Sequence, residues 1–219
     1  MENQRIWEIG EAAARLFLQR GYSRTQISDI AGAVGVSVGT IYHDFAGKKE
    51  ILYFVLKRTV DPAFVDRTFI RPITDELFEG LDEELNEAFD RSAAYFAKNL
   101  SRKEYHFKEL ISDTFDLLSQ YAVGCLFLER NRFEFPDLAE RYRTYRLRFF
   151  ETMTRYLVRF IGEGEVRPLE QVELTTRLII ELLTWWTMDV RYLTFDGPDI
   201  APETAKKLCM DNLMTAYGC

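Results

Sequence analysis

Two short helical patterns that meet at a single glycine constrain this chain more than any other feature. Ile27, Ile30, Ala31 and Val34 recur at helical spacing and predict a short helix with one buried stripe. Ile41 and Phe45, four residues apart, predict a second short helix with an inward face of its own. Between them Gly35 can take the positive φ that a sharp helix exit needs, and Val36 supplies an apolar plug. Thr25 and Ser37 stand where N-caps are wanted. Asp29 falls in the first turn of the first helix, where the dipole favours an acid. Together these predict a helix-turn-helix over about residues 26–45.

The second helix of the pair is too polar and too rich in glycine for a core element. Its outward face carries Val38, Gly39, Thr40, Tyr42 and His43, with Lys48 just beyond. Small residues at its start let the helix end approach a duplex closely. Tyr42 and His43 can donate to phosphates, and Lys48 adds a charge. In a helix-turn-helix the second helix lies in the DNA major groove. A Gly-x-Ser turn between amphipathic segments also occurs in plain helical bundles, where Tyr42 and His43 would be ordinary surface residues.

Taken in order, Ala13-Ala-Arg-Leu-Phe17, Gly21-Tyr22, Thr25, Ile27, Asp29-Ile-Ala31, Gly35-Val-Ser37, Gly39-Thr-Ile-Tyr42, Phe45 and Lys48-Lys-Glu-Ile-Leu52 resemble the TetR family of one-component repressors. The resemblance covers about the first 60 residues. It implies DNA contacts at Thr25, Gly39, Thr40, Tyr42, His43 and Lys48, with Ser37 and Val38 beside them at the helix start. Two positions depart from the family pattern. Val38 replaces a polar or basic residue and suggests contact with a thymine methyl. Asp44 puts an acid where an aromatic or basic residue is common, and is expected to face away from phosphate or to weaken binding slightly.

The net charge of −7 fits a DNA binder only once it is divided along the chain. Residues 1–60 hold eight basic and six acidic side chains, or +2, which leaves −9 for the remainder. A weakly basic reader on an acidic body docks by one face and is repelled elsewhere. No apolar run reaches the length of a membrane span and no secretion signal stands at the N-terminus, so a soluble cytoplasmic protein is expected. Cys125, Cys209 and Cys219 form no CxxC pair and are expected as free thiols. His43 and His106 lack metal-ligand spacing, and no metal or cofactor is expected.

Helical periodicity continues to the C-terminus, which predicts an all-α chain. A DNA-binding domain over 1–60 is followed by a helical ligand-binding and dimerisation domain over 61–219. A fourth helix at about 48–60 is expected to link the two and to carry release of DNA. Residues 169–195 and 203–217 read as the last helices, separated at Gly197-Pro198. From Leu178 to Leu193 almost no polar face remains, which predicts burial on more than one side. Ala205, Leu208, Cys209, Leu213 and Ala216 read as a single stripe. The two helices resemble the family's four-helix dimer interface; a central core helix in a monomer is the plainer alternative. A homodimer matches a palindromic operator.

Two further features concern a ligand. Arg141, Arg148, Arg155 and Arg159 recur along one helix and read either as a site for an anionic group or as a solvated face, the latter favoured. Tyr95, Tyr121, Phe127, Phe149, Trp185 and Trp186 are candidate linings of an apolar pocket for a small lipophilic effector, also anionic if the arginine stripe reaches it. There is no nucleophile elbow, phosphate loop or HExxH motif, so an enzyme is not expected. The expected function is a dimeric DNA-binding regulator, a repressor released by a small ligand. An activator or a helical interaction module using the same reader is the alternative.

Overall fold

The computed structural model describes residues 2–194, 198 and 200–219. Among them every regular element is a helix. The chain divides into two compact units, Met1–Ala88 with Val123–Ala139, and Phe89–Ala122 with Glu140–Cys219.

The first unit starts with α1 (Glu2–Arg20), whose Ile6, Ile9, Ala13, Phe17 and Leu18 are buried at helical spacing. Then come α2 (Ile27–Val34), α3 (Val38–Asp44) and α4 (Lys48–Val60). Gly35 takes φ 78° and its N–H closes onto the Ala31 carbonyl at 2.9 Å, as the turn required. Ser37 caps α3, its hydroxyl accepting from the Thr40 N–H at 3.1 Å. The cap of α2 differs from expectation. Gln26, not Thr25, forms a capping box with Asp29, whose carboxylate accepts from the Gln26 N–H at 2.8 Å.

The unit does not close at residue 60. After α4, Phe64 and Phe69 pack on Phe54, with ring centres 5.8 and 5.9 Å apart. Ile73 then pairs with the exit of α3: its N–H donates to the Asp44 carbonyl at 2.8 Å, and its carbonyl accepts from Ala46 at 2.9 Å. The end of α6 (Phe107–Arg130) and the start of α7 (Pro136–Glu163) also belong to this unit. There Phe127 meets Phe17, Tyr22 and Phe135 at 6.4, 6.4 and 5.3 Å. The division expected at residue 60 therefore does not follow the packing, because 61–88 and 123–139 help to bury the first four helices.

The second unit is built on α5 (Leu81–Asn99), α6, α7, α8 (Val172–Thr184), a short α9 (Val190–Tyr192) and α10 (Pro202–Tyr217). Its core joins Phe96, Phe107, Ile111, Tyr156, Phe160, Ile179, Leu183, Cys209 and Leu213. The single helix expected over 169–195 is not continuous. Residues 165–168 are tied to the C-terminus through Arg167 N to Tyr217 O at 2.9 Å and Cys219 N to Glu165 O at 3.0 Å, so α8 begins later. Trp185–Asp189 is a π-helical turn, in which the Thr187 hydroxyl donates to Leu183 O at 2.8 Å. The expected ends at residue 195 and Gly197 lie outside the described residues.

Within the chain the 178–193 stretch is covered on one side, and Leu178 is 61% and Trp185 49% exposed on the other. For the final helix the reading is corrected: it is not one stripe. Ala205, Cys209 and Leu213 face the unit's own core, whereas Leu208 is 42% exposed. Spacings of four keep residues on one face, and position 208 falls about 100° away from that of 209. Phe127 is 1% exposed inside the first unit. Phe127→Ala should therefore destabilise by about 3–5 kcal/mol, read as a lower unfolding midpoint. An unchanged midpoint would mean the ring is not core.

Candidate nucleic-acid interface

The seven residues of α3 divide cleanly between two duties. Ile41 is fully buried, and Phe45, immediately beyond the helix, is buried against Phe54 with ring centres 5.5 Å apart. Val38 and Tyr42 are 41% and 51% exposed, and the His43 side chain is 65% exposed. Gly39 is exposed as well, and Thr40 is half-buried with its hydroxyl 2.9 Å from that of Ser37. Val38, Gly39, Thr40, Tyr42 and His43 thus share one outward surface, with Ser37 at its start. None carries a fixed charge. The surface offers a methyl pair, hydroxyls, an imidazole and bare backbone, which suit base edges in a groove.

Thr25 is not part of that surface. Its side chain is fully buried, and its hydroxyl donates to Gly21 O at 2.9 Å. Lys48 lies next to it. The ammonium donates to the carbonyls of Tyr22 and Thr25 at 2.9 Å each and sits 4.3 Å from the centre of the Tyr22 ring. Two of its three N–H groups thus hold the turn between α1 and α2. The same turn is gripped from the other side. The Tyr22 N–H donates to the side-chain oxygen of Asn131 at 2.8 Å, and Arg130 donates to Leu18 O at 3.2 Å. Asn131 is buried and also donates to Phe127 O at 2.9 Å. Its partner Tyr22 lies 109 residues away in sequence, so no local pattern could reveal that contact. Exposed basic side chains flank the reader at Arg24 and Lys49.

Asp44, for which the sequence predicts a side chain turned from phosphate or a slight weakening of binding, lies inside the fold. It is fully buried at the end of α3. Arg5 of α1 donates to it through Nε and Nη2 at 2.5 and 2.8 Å, Arg71 at 2.8 Å, and His43 Nδ1 lies 3.0 Å away. Burial opposes its ionisation, but the hydrogen bonds from Arg5 and His43 and the two guanidinium charges outweigh that and hold the carboxyl below its ordinary value of 3.8. A depressed folded value stabilises the fold above 3.8 and the contribution is lost as pH falls through that depressed value. Asp44→Asn should lower stability at neutral pH by about 3 kcal/mol and flatten this acid limb of the unfolding profile. An unaltered profile would show that the cluster contributes nothing.

The candidate ligand residues do not converge on one place. Tyr95 and Tyr121 line an open cleft of about 300 Å³ between α5 and α6, together with Arg91, Asp113 and Asp116. There the hydroxyls of Tyr95 and Tyr105 both donate to Asp113, at 2.6 and 2.8 Å. The Asp113 acceptor raises the Tyr95 pKa; burial and then Asp113 raise that of Tyr105. Phe149 is core, 5.6 Å from Phe96. Phe127 is in the other unit, Trp185 is half-exposed, and Trp186 packs on the core cluster. Among the arginines, Arg159 serves structure. It donates to Leu100 O at 2.7 Å and to Arg102 O at 3.1 Å, and also to Tyr105 O. Arg141, Arg148 and Arg155 are exposed, and none of the four lines the cleft.

Known proteins resemble this chain in sequence and fold. The sequence profile of "Bacterial regulatory proteins, tetR family" matches residues 9–53. The "HTH-type transcriptional repressor KstR2" of Mycobacterium tuberculosis is 26% identical over 207 residues, spanning 94% of this chain and 89% of its own. The solved structure of the ketosteroid transcriptional regulator KstR2 from that organism superposes with a TM-score of 0.54 at 20% identity, covering 98% of this chain and 95% of that one. A putative transcriptional regulator from Saccharomonospora viridis, solved in complex with choline, gives a TM-score of 0.50 at 19% identity over the full length of both chains. These two structural likenesses show the fold.

Proposed function

The chain belongs to the tetR family of bacterial regulatory proteins and is a DNA-binding transcriptional regulator, and from that premise we propose that it represses as a dimer on a palindromic operator and is released by a small effector. The observation that carries the reading is the outward face of α3. Val38, Gly39, Tyr42 and His43 are exposed there, with Thr40 half-buried among them, on a helix whose other side is used in packing. Ser37 supports that face through its bond to Thr40, and Lys48 supports it by fixing the turn behind. Selection from a randomised duplex library should enrich a palindrome with half-sites about one helical turn apart. Thr40→Ala should change the preferred bases. Failure to enrich any sequence would end the reading.

The dimer rests on a separate observation. Leu174 and Leu178 on α8, Trp185 beyond it and Leu208 on α10 are 63%, 61%, 49% and 42% exposed. Solvent-facing apolar side chains of this size on two neighbouring helices suit a core-like interface. Leu178→Glu should give a monomer by sedimentation with the unfolding midpoint nearly intact. Leu213→Glu should instead unfold the second unit, since that side chain is 3% exposed. A wild-type monomer at micromolar concentration would rule the dimer out.

For the effector, the α5–α6 cleft with Tyr95 and Tyr121 is the best supported site, and a small, largely lipophilic molecule is its proposed occupant. Release requires that the effector bind the non-DNA geometry better, since equal affinity for both shifts nothing. No helix among the described residues is long and apolar enough to cross a membrane.

A further inference from the structure

His43 is the one imidazole on the outward face of α3, and a residue behind it decides its hydrogen-bonding state. A carboxylate has about four acceptor positions on its two oxygens. Those of Asp44 meet four donors. Arg5 Nε reaches Oδ2 at 2.5 Å, while Arg5 Nη2, Arg71 Nη1 and His43 Nδ1 reach Oδ1 at 2.8, 2.8 and 3.0 Å. Buried between two guanidinium groups, this carboxylate is ionised and has no proton of its own to give. The 3.0 Å contact is therefore a hydrogen bond only if Nδ1 carries the proton. A neutral imidazole has a single N–H. Its Nε2 is then bare, on a side chain 65% exposed beside Val38 and Tyr42.

A bare Nε2 can only accept. Phosphate oxygens also only accept, so neutral His43 cannot make the phosphate contact expected of it from sequence. In the major groove the hydrogen-bond donors are the exocyclic amino groups, N6 of adenine and N4 of cytosine. We propose that His43 reads one of these amino groups through Nε2, with Asp44 as the positioning residue that sets its tautomer. This rests on the DNA-binding reading above and adds the chemical class of the base that His43 selects. Arg5 and Arg71 then act through Asp44: they keep the carboxylate ionised and fix it behind the imidazole.

The test begins with the operator enriched from a randomised duplex library, so absence of any enriched sequence counts against DNA binding itself. Each adenine and cytosine of that operator is then replaced singly by the analogue lacking its exocyclic amino group. One replacement should weaken wild-type binding about fivefold beyond its effect on His43→Ala, a difference of about one neutral hydrogen bond. His43→Ala is a surface change and keeps the fold. Replacing single phosphates by uncharged methylphosphonates should leave the ratio between wild type and His43→Ala unchanged. If instead the ratio responds to a phosphate and to no amino group, the proposal is overturned. The tautomer is read independently from imidazole ¹⁵N spectra at a pH of about 8, above the ordinary histidine value. The chain has two histidines, so His43→Ala assigns the signals. Wild type should show a protonated Nδ1 and an unprotonated Nε2 at His43. Asp44→Asn should erase that bias. The opposite tautomer in wild type would overturn the role of Asp44.

Discussion

A seven-residue helix cannot hold itself, and α3 is that short. Isolated helices below about 12–15 residues are marginal in water. Everything that makes α3 a usable reading element is therefore tertiary. Ile41 and Phe45 bury its inner side, Ser37 satisfies an orphan N–H at its start, and Asp44 ties its end to α1 and to the segment after α4. Ile73 adds two main-chain hydrogen bonds at the exit. With the inner side and both ends so occupied, the outer side is left for a partner.

The turn before α2 shows the same logic with different chemistry. Residues 21–25 lie between helices, so their carbonyls lack helical partners, and that of Tyr22 is met within the turn by the Thr25 N–H at 3.2 Å. The Lys48 ammonium takes those of Tyr22 and Thr25, and the Thr25 hydroxyl takes that of Gly21. Asn131 supplies the acceptor for the Tyr22 N–H from a position far along the chain. The reader is thus completed by the α6–α7 turn, which explains why the first compact unit reaches past α4 and recruits residues 123–139.

This division marks what a sequence can and cannot reveal. Gly35, Ser37 and the split between Ile41–Phe45 and Val38–His43 were legible because each follows from spacing within a few residues. The all-helical class and the reader were legible for the same reason. Phe127 and Leu213 were misplaced because periodicity identifies a buried face without saying what covers it. Phe127 is covered by Phe17 and Tyr22, and Leu213 by its own unit's core. Thr25 looked like a cap because caps share its chemistry, but its hydroxyl found the Gly21 carbonyl first. Asp44 looked like a mild liability because Arg5 and Arg71 are distant in sequence and adjacent only in the fold. The outward face of α3 was thus readable, and the residues that position it were not.

The composition of the reading face has a consequence for how affinity and specificity divide. Phosphate contacts supply the salt-dependent share of DNA affinity, and base contacts supply selectivity. On α3 the outward residues carry no fixed charge, so this helix contributes little to the first share. Lys48, the nearest cation in sequence, has two of its donors committed to carbonyls. On the proposed reading the electrostatic share falls to exposed groups at the flanks such as Arg24, since Lys49 is paired with Asp75 at 3.5 Å, around a chain of net charge −7. An acidic protein that reads DNA through an uncharged helix face gains little affinity for non-specific DNA. Its discrimination must come from methyl, hydroxyl and imidazole contacts that one short, externally clamped helix presents. A helix that tilted by even a small angle would lose those contacts together, and this is the physical reason for surrounding it with so many fixed hydrogen bonds.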